Sequence, residues 1–335
     1  MPDARDTLLL AFDKGLANAP RDGEQWLFLN AQTLPPQGRG RVAQLVCEQG
    51  FRPQFLALQQ AGYAVQPSVD SGKFGGALML LTRSRQLNEM LLSRAWDSIV
   101  ENAVIIAAGE NHDGAKSLRK HVARHCGEPQ SLSKHHALAF SFKRSGETNP
   151  FAPQTRPRRG GHEIAPGMFS ADGPDEGSKM LARHFDDRIG GDIADFGAGW
   201  GYLGCELLQA APRVDRLDCI EADHASLAAA HKNLANLSGE AKTGFHWLDL
   251  TSEAAPAKYD WVIMNPPFHH GRAATPALGA TFIKAAAKAL RPDGHLLMVA
   301  NRNLPYEAVL SENFAATKVR EENALYKVLE AANTK

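Results

Sequence analysis

The amino-acid sequence predicts an α/β protein built from two tandem domains, and three observations favour this fold class. The chain has 335 residues, which is enough for two domains of about 150 residues with a buried core in each. Short apolar runs alternate with helical patterns in both halves, as is typical of a parallel sheet covered by helices. A stretch rich in proline, glycine and polar residues, 143–163, separates the halves. We therefore expect domains at 1–150 and 151–335.

The first domain, 1–150, has the alternating pattern but lacks a ligand-binding turn. The stretch that follows its first apolar run, AQTLPPQGRGR, offers no glycine-rich turn directly at the strand end, where a cofactor would bind. We therefore expect an α/β domain without a cofactor site. Its apolar and helical segments are 26–30, 41–50, 54–58, 77–82, 86–96, 103–110, 114–125 and 137–142.

The second domain, 151–335, repeats the alternation with stronger local signals. Two similar α/β halves suggest an internal duplication, although no residue-level repeat demonstrates it. Strands are predicted at 192–196, 216–222, 259–265 and 295–301, and helices at 202–211, 225–237 and 280–291.

A glycine-rich turn, DFGAGWGYLG, follows the first strand of the second domain. Gly197, Gly199 and Gly201 would let the backbone turn sharply and approach a ligand closely. The stretch also contains G-x-G-x-x-G, the dinucleotide pattern, but Gly197 comes too early for a good match. The D-x-G-x-G-x-G register from Asp195 instead suits S-adenosylmethionine, which has no phosphate to hold.

Two carboxylates at later strand ends are candidates for the same ligand. Glu221 comes twenty residues after Gly201, where a carboxylate can accept hydrogen bonds from both ribose hydroxyls. Asp249 is the penultimate residue of the run 243–250 and could accept from an adenine amino group. The alternative for either residue is a solvated carboxylate at a strand end.

The stretch DWVIMNPPFHHG, 260–271, ends a buried strand with an unusual turn. Asn265 would point out of the carboxyl edge of the sheet, where ligands of open α/β sheets bind. Pro266 and Pro267 stiffen the turn and leave nearby carbonyls free to accept hydrogen bonds, and Phe268 offers a flat face for a base. Asn265 Oδ1 and the Pro266 carbonyl would accept both hydrogens of a planar amine and aim its lone pair at a sulfonium methyl group. The alternative is a structural Pro-Pro turn.

Four stretches, APGMFSADGPDEGSKML, DFGAGWGYLG, NPPFHHG and VANRNLPY, occur in an order and spacing that resemble the bacterial ribosomal RNA guanine-N2 methyltransferases. The type that acts on guanine 1207 of 16S RNA is the most similar. The resemblance covers the sequence of 160–330, whereas in the N-terminal half only the arrangement of predicted strands and helices is similar. It implies two tandem Rossmann-like methyltransferase domains, of which the N-terminal one is degenerate and serves to bind RNA or to stabilise its neighbour.

The resemblance also implies an activity, methylation of the N2 amino group of a ribosomal RNA guanine, with guanine 1207 of 16S RNA in the 30S subunit as the first candidate. Two departures from the family are His270, where an acidic residue is common, and LYKVLEA, which replaces an aromatic-ending strand. The roles of His269 and His270 stay open. By this resemblance the target guanine would be held by Asn265, Pro266, Pro267 and Phe268, and S-adenosylmethionine by Asp195, Gly197, Gly199, Gly201, Glu221 and Asp249.

Several alternative functions remain open at this point. The substrate could be a guanine of 23S RNA, and the N-P-P-[FY] turn also serves methylation of adenine N6 and of protein glutamine. A non-enzymatic reading makes the protein an RNA-binding module with a vestigial donor pocket. The glycine pattern leaves a nicotinamide dehydrogenase as a further alternative.

The composition adds few constraints. The 37 basic and 37 acidic side chains give a formal net charge of zero, which neither demands nor excludes a nucleic-acid partner. The four cysteines are far apart without CxxC spacing, and no apolar run approaches 18 residues. These features favour a reduced cytoplasmic protein with no membrane span and no metal, whose partner is ribosomal RNA or the 30S subunit.

Overall fold

The computed structural model divides the chain into two compact units, Met1–Pro157 and Arg158–Lys335. Each unit contains one seven-stranded sheet with helices, which confirms the predicted α/β fold class. The structure describes residues 2–70, 72–152, 162–164, 173–235, 237, 239, 241–267, 269–270, 273–274 and 276–334. Among these residues no helix is long and apolar enough to cross a membrane.

The first unit contains four α-helices and seven strands within its described residues. The helices are α1 (Ala4–Asp13), α2 (Arg52–Gln60), α3 (Arg85–Ser98) and α4 (Ala115–Cys126), with a 3₁₀ helix at Pro36–Gln44. The strands are β1 (Trp26–Leu29), β2 (Leu45–Glu48), β3 (Ala64–Gln66), β4 (Phe74–Leu80), β5 (Ile99–Glu110), β6 (Gln130–Lys134) and β7 (Ala137–Lys143).

The second unit has the same plan, with a two-stranded ribbon added after the fourth strand of its sheet. The helices are α5 (Glu176–Ala182), α6 (Tyr202–Ala210), α7 (His224–Leu234), α8 (Pro276–Ala289) and α9 (Glu307–Asn313). The strands of the large sheet are β8 (Gly190–Phe196), β9 (Arg213–Glu221), β10 (Lys242–Trp247), β11 (Tyr259–Met264), β14 (Leu290–Asn301), β15 (Phe314–Glu322) and β16 (Tyr326–Thr334). The ribbon consists of β12 (His269–His270) and β13 (Ala273–Ala274).

The two sheets share one topology. The first sheet has the order β3-β2-β1-β4-β5-β7-β6 and the second β10-β9-β8-β11-β14-β16-β15, so both read 3-2-1-4-5-7-6 when their strands are counted along the chain. Identical strand orders with the same parallel and antiparallel pairs support the internal duplication that the sequence suggested. The duplication therefore survives in the topology although the residues have diverged.

The prediction of parallel sheets is wrong for the last two strands of each unit. Strand β7 runs antiparallel to β5 and to β6, and β16 runs antiparallel to β14 and to β15. In the first unit the reversal is made by His135 and His136, whose φ angles of +52° and +56° give a tight two-residue turn. Histidine is an uncommon residue in such a turn, so the sequence carried no clear hairpin signal.

The central strands are buried on both faces, and this fixes the position of the residues that follow them. In β11, Trp261 and Ile263 pack into one hydrophobic cluster, while Tyr259, Val262 and Met264 pack into the cluster on the opposite face. A strand held from both sides has one register, because a slip by one residue would exchange its two faces. The chain therefore leaves the sheet after β11 at a defined point.

Candidate active site

The predicted site residues meet at one edge of the second sheet. Phe196 at the end of β8 pairs in parallel register with Ile220 in β9 and with Met264 in β11. The residues that follow these three strands therefore emerge side by side, at the carboxyl edge where open α/β sheets bind ligands. This edge brings together the glycine turn, Glu221 and Asn265.

The glycine turn adopts backbone angles that only glycine takes easily. Gly197, Gly199 and Gly201 have φ angles of +74°, +55° and +89°. At Gly201 an added Cβ would lie 2.6 Å from Leu234 Cδ1 and 3.0 Å from Ala230 Cα, so α7 requires a glycine there. At Gly199 an added Cβ would meet no atom within 4 Å in the part of the chain that the structure describes. Gly201 thus serves packing, whereas Gly199 borders open space that a ligand can use.

Glu221 closes the glycine turn and keeps capacity for further hydrogen bonds. Its Oε2 accepts from the Gly199 N–H at 2.8 Å, and its Oε1 accepts from the Asp223 N–H at 2.9 Å. Burial raises the pKa of this carboxyl group, and hydrogen bonds from backbone N–H groups, chiefly those of Asp223 and Gly199, oppose the rise. Because each carboxylate oxygen has a second lone pair, Glu221 can still accept from two hydroxyl groups.

Asp195 is fully buried at the end of β8. Neither of its carboxylate oxygens has a hydrogen-bond partner among the described residues. Burial raises the pKa of Asp195 to about 8, and the negative charge of Glu221 adds to the rise. A buried carboxyl group without a partner is costly, so the site favours a ligand group that would donate to it or carry a positive charge.

Asp249 is buried and already occupied by its own turn. Its Oδ1 accepts from the N–H and the hydroxyl of Thr251, at 2.9 Å and 2.6 Å, and its Oδ2 accepts from Ser252 Oγ at 2.8 Å. Its backbone N–H donates to Glu253. One lone pair on Oδ2 is left for a ligand, and the predicted contact with adenine stays a prediction.

Asn265 presents a hydrogen-bond acceptor that the described residues leave unused. Its Nδ2 donates to Asp175 Oδ2 at 3.0 Å and to Ser178 Oγ at 2.8 Å. Its Oδ1 is buried and has no partner among the described residues. An unpartnered buried acceptor costs about 1–3 kcal/mol, which a ligand N–H would recover. Asn265 is therefore arranged to accept a hydrogen bond.

The rest of the predicted turn is described only in part. Pro266 is buried and Pro267 is exposed. Phe268 lies outside the described residues, so its contact with a base stays a prediction. The backbone of His269 and His270 forms β12, which pairs with β13.

Sequence reasoning missed the two partners of Asn265. Asp175 caps α5, since its Oδ1 accepts from the N–H groups of Gly177 and Ser178 at 2.9 Å and 3.2 Å. An aspartate directly before a short helical stretch is a recognisable N-cap signal. The contact with Asn265 had no such signal, because Asp175 and Asn265 are 90 positions apart in the chain.

Comparison with known proteins assigns the chain to a family. The family model of the methyltransferase small domain matches residues 163–330. Ribosomal RNA small subunit methyltransferase C of Shewanella halifaxensis is 30% identical over 272 residues, which cover 76% of this chain and 76% of that protein. The chain belongs to the ribosomal RNA small subunit methyltransferase C family. The resemblance noted in the sequence is thereby confirmed, and the protein is a methyltransferase.

Other members of the family agree with this assignment. Ribosomal RNA small subunit methyltransferase C of Shewanella piezotolerans is 30% identical over 278 residues, again with 76% of each chain covered. Among solved structures, the T. thermophilus 16S rRNA N2 G1207 methyltransferase, in complex with AdoMet and guanosine, matches with a TM-score of 0.81 at 23% identity. The match covers 98% of this chain and 91% of that one, so the fold of both units is that of tandem methyltransferase domains.

In this methyltransferase C family member the N-terminal unit is the degenerate copy, as expected. The loop after β1 has Asn30 at φ +49° in place of a glycine turn, and the 3₁₀ helix follows it where α6 follows the glycine turn. Leu29 pairs with Glu48 as Phe196 pairs with Ile220, so Gln49 in the first unit corresponds to Glu221 in the second. The Nε2 of Gln49 donates to the Ala31 carbonyl at 2.7 Å. An amide donor thus fills the place of the carboxylate acceptor.

Proposed function

We propose that the protein transfers a methyl group from S-adenosylmethionine to the exocyclic N2 amino group of guanine 1207 in 16S ribosomal RNA. The observation that carries the proposal is the buried Oδ1 of Asn265, which has no hydrogen-bond partner among the described residues and directly follows a strand that neighbours the glycine turn. Family membership supports ribosomal RNA of the small subunit as the substrate. The similar T. thermophilus enzyme acts on N2 of G1207, which supports the position. The substrate form that we propose is the 30S subunit, in the cytoplasm.

The glycine-turn residues fit S-adenosylmethionine, which supplies an electrophilic methyl group when it is bound. Gly199 leaves space for close approach of a ligand, and Glu221 keeps two lone pairs for ribose hydroxyls. Asp195 is buried and its two carboxylate oxygens have no partner within the described part of the chain, so a cationic ligand would stabilise its ionised form. Gly197 and Gly201 shape the turn, and Asp249 would accept from the adenine amine.

In the proposed mechanism Asn265 and the Pro266 carbonyl hold the target amine by its two hydrogens. Neither group takes up a proton at neutral pH, so their part is to orient the amine and to polarise its N–H bonds. Pro267 would hold the turn rigid, since its ring fixes the backbone φ angle. Phe268 would stack on the guanine. The direction of the nitrogen lone pair is then set by this chain before the methyl group moves.

For the N-terminal unit we propose a role in RNA binding. Helix α4 carries no aspartate or glutamate, and Lys116, Lys120 and Arg124 are exposed on it at intervals of four residues. Residues four apart lie on the same helix face about 6 Å from one another, so these cations form a row. A row of exposed cations fits the phosphate backbone of RNA. This unit would then supply affinity, while the second unit supplies the chemistry.

Replacing Asn265 by alanine tests the proposed function. Asn265→Ala removes the acceptor for the target amine but leaves the glycine turn, so donor affinity should persist while kcat for 30S subunits falls about 10²-fold or more. Calorimetry with S-adenosylmethionine and methyl transfer to subunits that lack the modification would measure the two effects. Asn111→Ala, at an exposed asparagine of the first unit, is the matched control and should leave both unchanged. A wild-type kcat in Asn265→Ala would contradict the proposal.

A further inference from the structure

We propose that Asp175 and Ser178 are positioning residues that decide which end of the Asn265 amide faces the substrate. The inference rests on the proposed function, in which Asn265 Oδ1 accepts a hydrogen bond from the target amine. An asparagine amide has two orientations of almost the same shape, related by a half-turn, and only one presents oxygen. Catalysis by Asn265 therefore requires a group that rejects the other orientation.

Asp175 and Ser178 supply that rejection through their hydrogen-bond chemistry. Asp175 Oδ2, 3.0 Å from Asn265 Nδ2, belongs to a carboxylate and can only accept. The Ser178 hydroxyl donates its one hydrogen to Asp175 Oδ2 at 2.7 Å, so it offers only a lone pair to Asn265 Nδ2 at 2.8 Å. Both neighbours accept, and a flipped amide would place its oxygen against both of them. The NH₂ group must face them, and Oδ1 must face away.

The orienting pair is itself held in place by α5. Asp175 Oδ1 is committed to the N–H groups of Gly177 and Ser178, which leaves Oδ2 for Asn265. Met180 and Leu181 anchor the helix in the hydrophobic core, where they are 1% and 0% exposed. An N-cap aspartate on an anchored helix therefore holds an amide that follows β11, although it touches no reacting atom itself.

Asp175→Asn tests the proposal, because asparagine caps helices as well as aspartate does. The new amide oxygen must face the N–H groups of Gly177 and Ser178, so its NH₂ group takes the place of Oδ2. Asn265 then has to turn its oxygen toward that NH₂ group and its own NH₂ toward the target amine. We expect kcat to fall about 10²-fold, close to the loss in Asn265→Ala, with unchanged S-adenosylmethionine affinity and an unchanged melting temperature.

A second substitution distinguishes orientation from a merely structural role. In the double variant Asp175→Asn/Asn265→Asp, the carboxylate at position 265 carries oxygen on both branches, so one can accept from the new amide and the other from the substrate. We expect kcat to recover at least about tenfold over Asp175→Asn alone. Ser178→Ala keeps the Asp175 acceptor and should lower kcat less than about tenfold.

The flip can also be observed without activity, so its failure is separable from a failure of the proposed function. In ¹⁵N spectra of the wild-type protein the Asn265 NH₂ hydrogens should be protected from exchange, and in Asp175→Asn they should exchange faster. Wild-type kcat in Asp175→Asn, no recovery in the double variant, or unchanged exchange would overturn the proposal. An inactive wild-type protein, or a fully active Asn265→Ala, would instead overturn the proposed function.

Discussion

Gly199 and Gly201 are two positions apart, but one leaves room for a ligand and the other for the packing of α7. An added Cβ at Gly201 would collide with α7, whereas the same atom at Gly199 would meet open space. The sequence predicted both as ligand-binding glycines, because the pattern alone cannot tell packing from ligand approach. The strand-end residues were predictable from spacing, but the contact of Asp175 with Asn265 was not, since it joins distant parts of the chain.

We predict that Gly199→Val weakens S-adenosylmethionine binding by at least about tenfold. The side chain would enter the space that the ligand needs, and the left-handed backbone adds strain. Calorimetry measures the affinity. Gly239→Val is a matched control, because Gly239 has a φ angle of +51° and an added Cβ there would also meet no atom of the described residues within 4 Å, so it carries a similar strain outside the site. Equal donor affinity in the two variants would remove Gly199 from the donor site.

We predict that Asp195 makes the free protein less stable as the pH rises. Burial raises its pKa from 3.8 to about 8, so the folded state holds a proton that the unfolded state lacks in this range. Its contribution to stability therefore falls from about pH 4 to about pH 8. The melting temperature of Asp195→Asn minus that of the wild type should rise by about 2 °C or more between pH 5 and pH 8.

Asp186→Asn serves as the control for this pH experiment. Its hydrogen bond with Arg188 lowers the pKa of Asp186, so its contribution is present above about pH 4 and is lost only as the pH falls further. The melting temperature of Asp186→Asn minus that of the wild type should stay constant between pH 5 and pH 8. If the melting-temperature difference between Asp195→Asn and the wild type were also constant over this range, Asp195 would be ionised in the folded protein.

At the scale of elements, hydrophobic pattern predicted central strands of the second sheet, but it missed the buried elements α1 and β16 as well as exposed ones. The predicted strands 192–196, 216–222, 259–265 and 295–301 correspond to β8, β9, β11 and β14, whose inner residues are buried. Strand β15 was not predicted, because most of its side chains are exposed and give no alternation. Helix α5 was missed because it has only seven residues, too few for a helical period to show.

At the same scale, we predict that α4 contributes RNA affinity. Substituting Lys116, Lys120 and Arg124 together by glutamine should raise KM for 30S subunits about tenfold or more, while kcat and donor affinity stay unchanged. The salt dependence of binding should also become weaker, since fewer phosphate contacts are made. Steady-state kinetics at two or more salt concentrations would measure both effects.

The control for the α4 variant changes three other exposed cations of the same unit to glutamine, namely Lys14, Arg21 and Lys73. It has the same net charge as the α4 variant but keeps the row on the helix intact. We expect its KM to stay within about twofold of the wild type. Equal increases in KM for the two triple variants would show that total charge, and not α4, determines RNA affinity.

At the scale of the whole molecule, two copies of one strand order carry different chemistry. The second unit keeps the glycine turn and has Glu221 directly after the β9 residue that pairs with Phe196, whereas the first unit has Asn30 and Gln49 in the corresponding places. The sequence predicted the missing turn, because glycine patterns are local. It could not show that a glutamine amide replaces the carboxylate, since this depends on the register of β1 with β2.

The proposed activity of this chain is methylation of N2 of a guanine in 16S RNA. Its most direct test uses 30S subunits from a strain that lacks the protein, incubated with the purified protein and tritium-labelled S-adenosylmethionine, with the labelled nucleotide then mapped and its base identified. We expect about one methyl group per subunit, as N2-methylguanine at position 1207. Label on adenine, on a ribosomal protein or at no site in 16S RNA would contradict the account.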